Sequence, residues 1–378
     1  MEWFALIIPI FASIILMIFF HHKLLWWEII PGILVGVITI WVFKFTAEKI
    51  LVTDTEYYNG YVTSVWYYEP WSEWIDRTCT ESYPCGTDAN GNTSYCTRTY
   101  DCSYEKRHPK KWVAKNNIKE QFYITESRYN SLKSRFNNVS FVDMNRNYCC
   151  GRDGDAYMSK YLGEPGKIEH TSTKHKYENR VQASNSIFKF KEIKKIEADS
   201  LGLFKYPEIY DGYKQNHLLG VKNNRIELRL DYLNGTLGKK KQVKVFLLIF
   251  KDKPKEYFEL QNSYWKGGNK NEFNIVMSIK NNKIQWSEIM TWSEKDELKI
   301  RVRNYLNKYK TENINYIDLI DFLYKNIDNL YKRKSFSDFD YLSVELKPNQ
   351  LLFLYSLVTI ITVIISIFMI MNDFKNNL

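Results

Sequence analysis

The stretch QVKVFLLIF, residues 242–250, indicates the fold of the C-terminal half of the chain. Its apolar run is nearly continuous, which is typical of a β-strand that is buried on both faces. Two strand-like segments follow, EFNIVMSI and KIQWSEIMTW, and the hairpin-length break between them holds Asn281, Asn282 and Lys283. The pattern therefore predicts a small α/β sheet.

Two amphipathic helices are predicted to follow this sheet. The segment SEKDELKIRVRNYL places apolar residues at helical spacing, and Ser293 with Asp296 at its start matches a capping box. The segment YIDLIDFLYKNIDNLY repeats the helical spacing. We expect both helices to cover the sheet.

Three apolar segments, residues 3–20, 26–45 and 351–371, each approach the ~20 residues that cross ~30 Å of hydrocarbon. The first lacks the basic start and small-residue cleavage site of a signal peptide, and the second follows it closely. The sequence therefore predicts three retained transmembrane helices.

The chain is predicted to be an α+β protein in four parts. Residues 1–48 form a hairpin of two transmembrane helices, and residues 349–378 form the third transmembrane helix with a short tail. Between them lie a β-rich region that contains the cysteines, residues 49–185, and the α/β region with its two C-terminal helices, residues 186–348. We expect these two regions to form one soluble domain tethered to the lipid bilayer.

The formal net charge of +10 would suit nucleic acid or anionic lipid. The basic residues are interspersed with acidic ones, however, and no helix-turn-helix, zinc-finger or RNP-like pattern is present. We therefore expect a solvated surface and no nucleic-acid partner.

The segment CGTDANGNTSYC, residues 85–96, predicts a crosslinked hairpin. Asn90 and Gly91 are suited to a two-residue type I′ turn, which would place Cys85 opposite Cys96. That pair would occupy a hydrogen-bonded site, with Cα atoms ~5.5 Å apart and within the range of a disulfide.

A second pair, Cys79 and Cys102, falls opposite one another in the same register. A zinc site is the alternative, but six strand residues would separate the two pairs by ~20 Å, whereas zinc needs its four sulfurs at ~2.3 Å. We predict two disulfides and hence an oxidising, extracytoplasmic compartment, periplasmic or extracellular.

Lysines near the apolar segments give conflicting signals for membrane orientation. Lys23 would place the first loop in the cytoplasm and the soluble domain outside, whereas Lys44, Lys49 and Lys347 argue for the reverse. The predicted disulfides decide for an external domain.

Cys149 and Cys150 are adjacent in the segment YCCG. On a strand they would face opposite sides, so a vicinal bridge, pairing with another chain and two reduced thiols all remain open.

The aromatic run EYYNGYVTSVWYYEPWSEW leads into the first cysteine strand and predicts a long ribbon that projects from the sheet. Exposed aromatic side chains would bind a protein or glycan partner; the alternative is that they pack on the domain. The candidate binding residues are Tyr61, Trp66, Tyr67, Tyr68, Trp71 and Trp74.

Sites for metals or catalysis are weakly indicated. Asp153 and Asp155 form the best carboxylate pair, although DGD also suits a plain turn. Glu169, His170 and His175 are interpreted as exposed polar residues. No P-loop, HExxH or GxSxG motif is present, so we expect no catalytic residue, metal or cofactor.

The order of elements from residue 240 to 371, with the segment YWKGGNKN, resembles that of the TPM-domain proteins, which are membrane-tethered extracytoplasmic α/β domains. In that family an acidic turn between the paired strands is associated with calcium and, in some members, with phosphatase activity. Here that turn is NNK and holds no carboxylate.

The whole chain, with the phrases YENRVQASNS and YLNGTLGKKKQVKVF, also resembles uncharacterised membrane proteins of bacteria and their tailed phages. This likeness implies an envelope setting. The resulting hypothesis is an envelope-anchored interaction or structural protein that acts by binding. The alternatives are a TPM-like phosphatase or calcium-dependent domain, and a cytoplasm-facing regulator with reduced cysteines.

Overall fold

The computed structural model describes residues 2–20, 29–87, 91–144, 153–184 and 190–372. Within them the fold mixes α-helices with antiparallel and parallel strands, which confirms the predicted α+β class.

The helices in the described part of the chain are α1 (Ile7–Phe20), α2 (Ile29–Val52), α3 (Glu126–Phe136), α4 (Arg180–Ala183), α5 (Lys195–Leu201), α6 (Asn224–Lys241), α7 (Glu256–Tyr264), α8 (Asp296–Asn307), α9 (Tyr316–Leu330) and α10 (Pro348–Asn372). The strands are β1 (Thr53–Tyr68), β2 (Trp71–Ile75), β3 (Thr78–Thr87), β4 (Thr93–Asp101), β5 (Tyr104–His108), β6 (Lys111–Asn116), β7 (Gln121–Tyr123), β8 (Ser140–Val142), β9 (Ala156–Lys160), β10 (His170–Glu178), β11 (Leu218–Leu219), β12 (Lys244–Lys251), β13 (Glu272–Lys280) and β14 (Lys283–Thr291).

Three helical segments are long and apolar enough to cross a membrane: Glu2–Phe20, Ile30–Val52 and Pro348–Met371. Small residues let them pack closely, because a Cβ added at Gly36 would lie 3.0 Å from Pro9 Cγ. The three apolar helices therefore lie where the sequence predicts them.

The long strand β1 is the centre of the first sheet. Its first half pairs with β10, and its second half pairs with β6 on one side and β9 on the other. Helix α3 covers this sheet by burying Tyr129, Leu132 and Phe136. Thr125 caps the helix by accepting the backbone N–H of Arg128 at 3.2 Å.

The second sheet has the order β11-β12-β13-β14, in which β12 is parallel to both neighbours. Every residue from 244 to 250 is buried, because α6, α8 and α9 cover one face while α5 and α7 cover the other. This confirms the predicted strand with two buried faces. The β13–β14 turn is formed by Asn281 and Asn282, both with positive φ.

Helix α6 joins the two sheets because two of its glycines allow close packing on β1. A Cβ added at Gly238 would lie 2.3 Å from the carbonyl oxygen of Asn59, and one at Gly235 would lie 3.2 Å from that of Gly60. Any larger side chain at Gly238 must push the helix away from the strand.

The predicted capping box before α8 is wrong. The helix begins at Asp296, and its N-cap residue Lys295 makes no side-chain cap. The Ser293 hydroxyl instead donates to the carbonyl of Lys332 at 3.3 Å, which ties the start of α8 to the end of α9.

Candidate functional site

Residues 71–87 and 91–108 form an extended arm made of two hairpin segments in series. Strands β2 and β5 pair at its base, and β3 and β4 pair beyond them. The side chains of β3 and β4 are exposed on both faces of the ribbon, apart from the half-buried Cys79. The outer part of the arm therefore contributes no buried side chain to the hydrophobic cores, which is expected of a projecting ribbon.

Two cysteine pairs crosslink the arm. The sulfur atoms of Cys79 and Cys102 lie 1.96 Å apart, and their Cα atoms are 5.8 Å apart. For Cys85 and Cys96 the corresponding distances are 1.95 Å and 5.6 Å. These are the two pairings that the sequence predicts, and both have the geometry of a disulfide bond.

The predicted register of the hairpin is nevertheless wrong. Cys79 lies opposite Tyr100 and Cys96 lies opposite Tyr83, so neither disulfide joins directly opposed residues. Cys85 lies in an irregularity between Pro84 and Gly86. The extra residue shifts the pairing, and the bonds run diagonally across the ribbon.

The turn at the tip also differs from the predicted two-residue turn. The strand pairs nearest the tip are Gly86 with Ser94 and Thr87 with Thr93, whereas a two-residue turn at positions 90 and 91 would place Thr87 opposite Ser94. Gly91 has a positive φ of 85°, whereas Asn90 lies outside the described residues. Cys149 and Cys150 also lie outside them, so the three options for that pair stay open.

Most of the predicted aromatic surface lies in the sheet and not on the arm. Tyr68 is only 4% exposed, and Tyr67 packs against Trp112 in the core under α3. Trp66 stacks on Tyr68, and Tyr61 contacts Tyr161 edge to face. For these four residues the structure favours the alternative of packing on the domain, because β1 is the central strand.

The remaining two predicted residues belong to the arm. Trp74 is 64% exposed, whereas Trp71 stacks on His108 with ring centroids 4.4 Å apart. The arm also exposes tyrosines that the sequence analysis did not select, because they lie among the cysteines beyond the aromatic run; they are Tyr83, Tyr95, Tyr100 and Tyr104. The signal that could have identified those on β3 and β4 is the lack of apolar alternation along both strands, which indicates that neither face of the ribbon is buried.

The weak metal candidates Asp153 and Asp155 have partners of their own. Asp153 forms an ion pair with Lys111, and Asp155 Oδ1 accepts the backbone N–H of Met144 at 3.1 Å. Neither belongs to the one group of three His, Cys, Asp or Glu side chains that lies close enough to hold a metal ion in the described part of the chain.

That group consists of His170, His217 and Asp231, whose ligand atoms lie within 4.8 Å of one another. His170 begins β10, His217 precedes β11 and Asp231 lies on α6. The interpretation of His170 as an exposed residue is wrong, since its side chain is buried. These residues are far apart in the chain, so no local motif could have predicted their cluster.

Hydrogen bonding makes this cluster a poor metal site. The backbone N–H of Gln215 donates to His170 Nε2 at 3.0 Å, which places the proton of the neutral imidazole on Nδ1, facing Asp231 Oδ2 at 2.8 Å. A metal-binding histidine instead offers a lone pair to the metal and donates its other N–H to an acceptor. His217 Nδ1 lies 3.1 Å from the second oxygen of Asp231, so the cluster is a hydrogen-bonded network that links three segments of the domain.

Burial and hydrogen bonding shift the pKa values of His217 and Asp231 in this cluster. It lowers the pKa of His217 to about 3, because the hydrogen bond to Asp231 only partly offsets the cost of burying a charged imidazole. Burial by itself would raise the pKa of Asp231, but His170 and His217 hold it below its usual range. The cluster therefore contains an ionised Asp231 carboxylate beside a neutral His217 imidazole.

Glu169 is also buried and not exposed as predicted. Its carboxylate is paired with Arg128, with Arg135 at 2.9 Å and with Lys214 at 3.1 Å, and it accepts the hydroxyl proton of Tyr213 at 3.2 Å. His175, on the other side of β10, stacks on the ring of Tyr58. The three candidates therefore serve the folding of the domain.

A pocket of about 360 Å³, which we call the junction pocket, lies where the soluble domain meets α2. Asp54 and Thr55 on β1 form one wall, just after the last residue of α2. Other lining residues come from the loop before β11 and from the end of α7 and the loop after it; they are Tyr206, Tyr264, Trp265, Lys266, Gly268 and Asn269.

Comparison with protein families, curated proteins and solved structures finds no match for this chain.

Proposed function

We propose that this protein is a membrane-anchored interaction protein that displays a disulfide-bonded arm outside the cytoplasm. The observation that carries this proposal is the arm itself: its ribbon contributes almost nothing to a hydrophobic core, yet two crosslinks hold its shape. A surface that is ordered without stabilising the fold is suited to binding.

The placement outside the cytoplasm rests on the chemistry of the cysteines. Disulfides persist in oxidising compartments and are rare in the cytosol. The apolar helices α1, α2 and α10 supply the anchor. With two helices preceding the soluble domain and one following it, both of its ends are tethered to the bilayer.

The exposed aromatic side chains of the arm are the proposed contact residues. Trp74 and Tyr95, which are 64% and 70% exposed, offer large rigid contact areas with a polar edge. Such residues are enriched in the binding surfaces of proteins. The partner is a protein or glycan of the cell envelope, and the resemblance to bacterial and phage membrane proteins supports that setting.

Site-specific photocrosslinking in the source cells tests the binding role. A photoreactive residue at Tyr95 should give an adduct of defined mass, and Trp74→Ala should weaken that adduct. The matched control places the same residue at Ile196, which is exposed on α5, away from the arm. Two results would contradict the proposal: the same adduct yield at Tyr95 and Ile196, or an adduct yield at Tyr95 that Trp74→Ala leaves unchanged.

Membrane orientation is tested separately with an epitope inserted directly after Gly91, near the far end of the arm. An impermeant antibody should label intact cells or protoplasts. Labelling that requires permeabilisation would support the cytoplasm-facing regulator instead.

A further inference from the structure

The junction pocket combines aromatic side chains with carboxylates. The rings of Tyr57 and Tyr206 lie 5.3 Å apart, and that of Trp265 lies 5.0 Å from Tyr206. Asp54 forms part of the wall, and its Oδ2 accepts hydrogen bonds from Tyr177 Oη at 3.1 Å and from Asn179 Nδ2 at 2.7 Å. Aromatic rings beside carboxylates are the surroundings in which proteins bind organic ammonium groups.

A second carboxylate lies directly behind the lining. Glu272 is fully buried and accepts hydrogen bonds from Tyr206 Oη at 2.5 Å, from Asn269 Nδ2 at 2.9 Å and from Asn274 Nδ2 at 2.8 Å. Two of these three donors, Tyr206 and Asn269, line the pocket. The negative charge is therefore held one side chain away from the space that a ligand would fill.

Neighbouring carboxylates affect the pKa of a tyrosine in the pocket wall. Burial, followed by the carboxylates of Glu272, Glu208 and Asp54, raises the pKa of the Tyr57 phenol. Lys266, the basic residue of the lining, is exposed. The neighbouring carboxylates therefore favour a positively charged group over an anion on this side of the pocket.

The chain already places one amine in these surroundings. The Nζ of Lys244, which is fully buried, lies 4.3 Å from the ring centroid of Tyr57 and 5.1 Å from that of Phe246. Burial lowers the pKa of Lys244, against the attraction of Glu272. Its Nζ donates a hydrogen bond to Gln215 Oε1, and Lys244 is not among the residues that line the pocket.

We propose that the junction pocket binds an organic ammonium group, with Asp54 as the facing carboxylate, with Tyr57, Tyr206 and Trp265 as the aromatic wall, and with Lys266 at the rim. The ammonium belongs either to a free amine or to the headgroup of a zwitterionic phospholipid. The wall begins two residues after the end of the membrane-length helix α2, which places the pocket beside the headgroups of the proposed membrane. In the second case Lys266 would lie near the headgroup phosphate.

The test uses the full chain in a maltoside detergent and isothermal titration with four probes: tetramethylammonium, ethanolamine, phosphoethanolamine and glycerol phosphate. The two simple ammonium ions should bind, and glycerol phosphate should not displace them. Native mass spectrometry after extraction from nanodiscs should show retained phosphatidylethanolamine, but not phosphatidylglycerol, if the source is a lipid.

Two variants separate the charge from the fold. Asp54→Asn removes the charge but keeps one side-chain oxygen that can accept from Tyr177 and Asn179, and it should weaken ammonium binding at least tenfold. Lys266→Glu adds a negative charge at an exposed position and should strengthen binding of tetramethylammonium several-fold, a gain that misfolding cannot produce. The control is Lys310→Glu, which changes an exposed lysine elsewhere in the domain and should leave binding unchanged.

Phosphoethanolamine distinguishes the two sources. If it binds more tightly than ethanolamine and loses this advantage in Lys266→Glu, the ligand is a headgroup; equal affinities identify a free amine. The proposal is overturned if neither ammonium probe binds, or if glycerol phosphate binds and Lys266→Glu weakens all probes together. None of these results depends on the function of the arm.

Discussion

The arm and the four-stranded sheet each contain an antiparallel hairpin, but the two hairpins are stabilised by different means. Strands β13 and β14 pair within a sheet whose apolar side chains are buried on both faces. Strands β3 and β4 expose both faces, and two disulfides replace the missing core. In this molecule apolar burial stabilises the two sheets and the helices that cover them, which together we call the body. Covalent crosslinks fix the shape of the arm.

Each hairpin contains one irregularity in its strand pairing. In β13–β14 it falls at Gln285, which has no partner between Ile284 and Trp286, although burial on both faces holds the pairing on either side of it. Their two-residue turn at Asn281 and Asn282 is the short turn that the sequence suggests. Disulfides tolerate a diagonal arrangement, so the arm accommodates the irregularity at Cys85.

The largest expected effect comes from the core of the body. Phe246 is fully buried between the rings of Tyr206 and Trp265, so Phe246→Ala should lower the free energy of unfolding by about 3–5 kcal/mol. Denaturant unfolding of the soluble domain, followed by tryptophan fluorescence, measures this loss. Tyr95→Ala on the arm is the matched aromatic control and should change stability by less than ~0.5 kcal/mol.

Acid should weaken the body before it weakens the arm. The pKa of His217 is lowered to about 3, whereas an unfolded histidine has a pKa of ~6.5, so the unfolded chain binds more protons between these values. Its contribution to stability is therefore complete above pH ~6.5 and should fall by about 3 kcal/mol by pH 4. His217→Asn should flatten this part of the stability profile; an unchanged profile would refute the role given to His217.

Removing both disulfides should affect mainly the arm. Replacing the four cysteines by serine removes crosslinks worth up to ~3 kcal/mol each in the chain-entropy account, so proteolysis within residues 71–108 should accelerate. The denaturation midpoint of the body should stay the same. A midpoint that falls together with arm protection would show that the two regions unfold as one unit.

The smallest effect concerns a single cap at the end of the first sheet. Thr125→Ala removes the acceptor of the Arg128 N–H and should cost about 1 kcal/mol. Thr125→Ser keeps the hydroxyl and serves as the control. A loss in the alanine variant that the serine variant lacks would show that the body also depends on local hydrogen bonds.

The sequence predicts best those features whose cause is local. The strand at residues 242–250 and the three apolar helices follow from the composition or spacing of adjacent residues. The cysteine pairing was predicted from symmetric spacing, although the register was wrong, because a diagonal disulfide satisfies the same distance limits as a direct one.

Features that depend on tertiary contacts could not be read from the sequence. The run 56–74 is rich in aromatic residues along its whole length. Even so, β1 buries the first part of the run at the centre of a sheet, whereas Trp74 on the arm is exposed. Two further features combine segments that are distant in the sequence. They are the cluster of His170, His217 and Asp231, and the junction pocket.

The strand β1 starts at Thr53, immediately after α2 ends at Val52, and no loop separates them. The backbone N–H of Asn179 donates to the Val52 carbonyl at 2.7 Å, and Arg180 bonds Glu48 at 2.7 Å, which braces the connection from the side. A helix joined in this way cannot swivel independently of the sheet that it feeds. If α2 spans a membrane as proposed, its tilt or rotation would turn the whole domain and displace the far end of the arm most. Membrane thickness and tension would then set the direction in which the arm points.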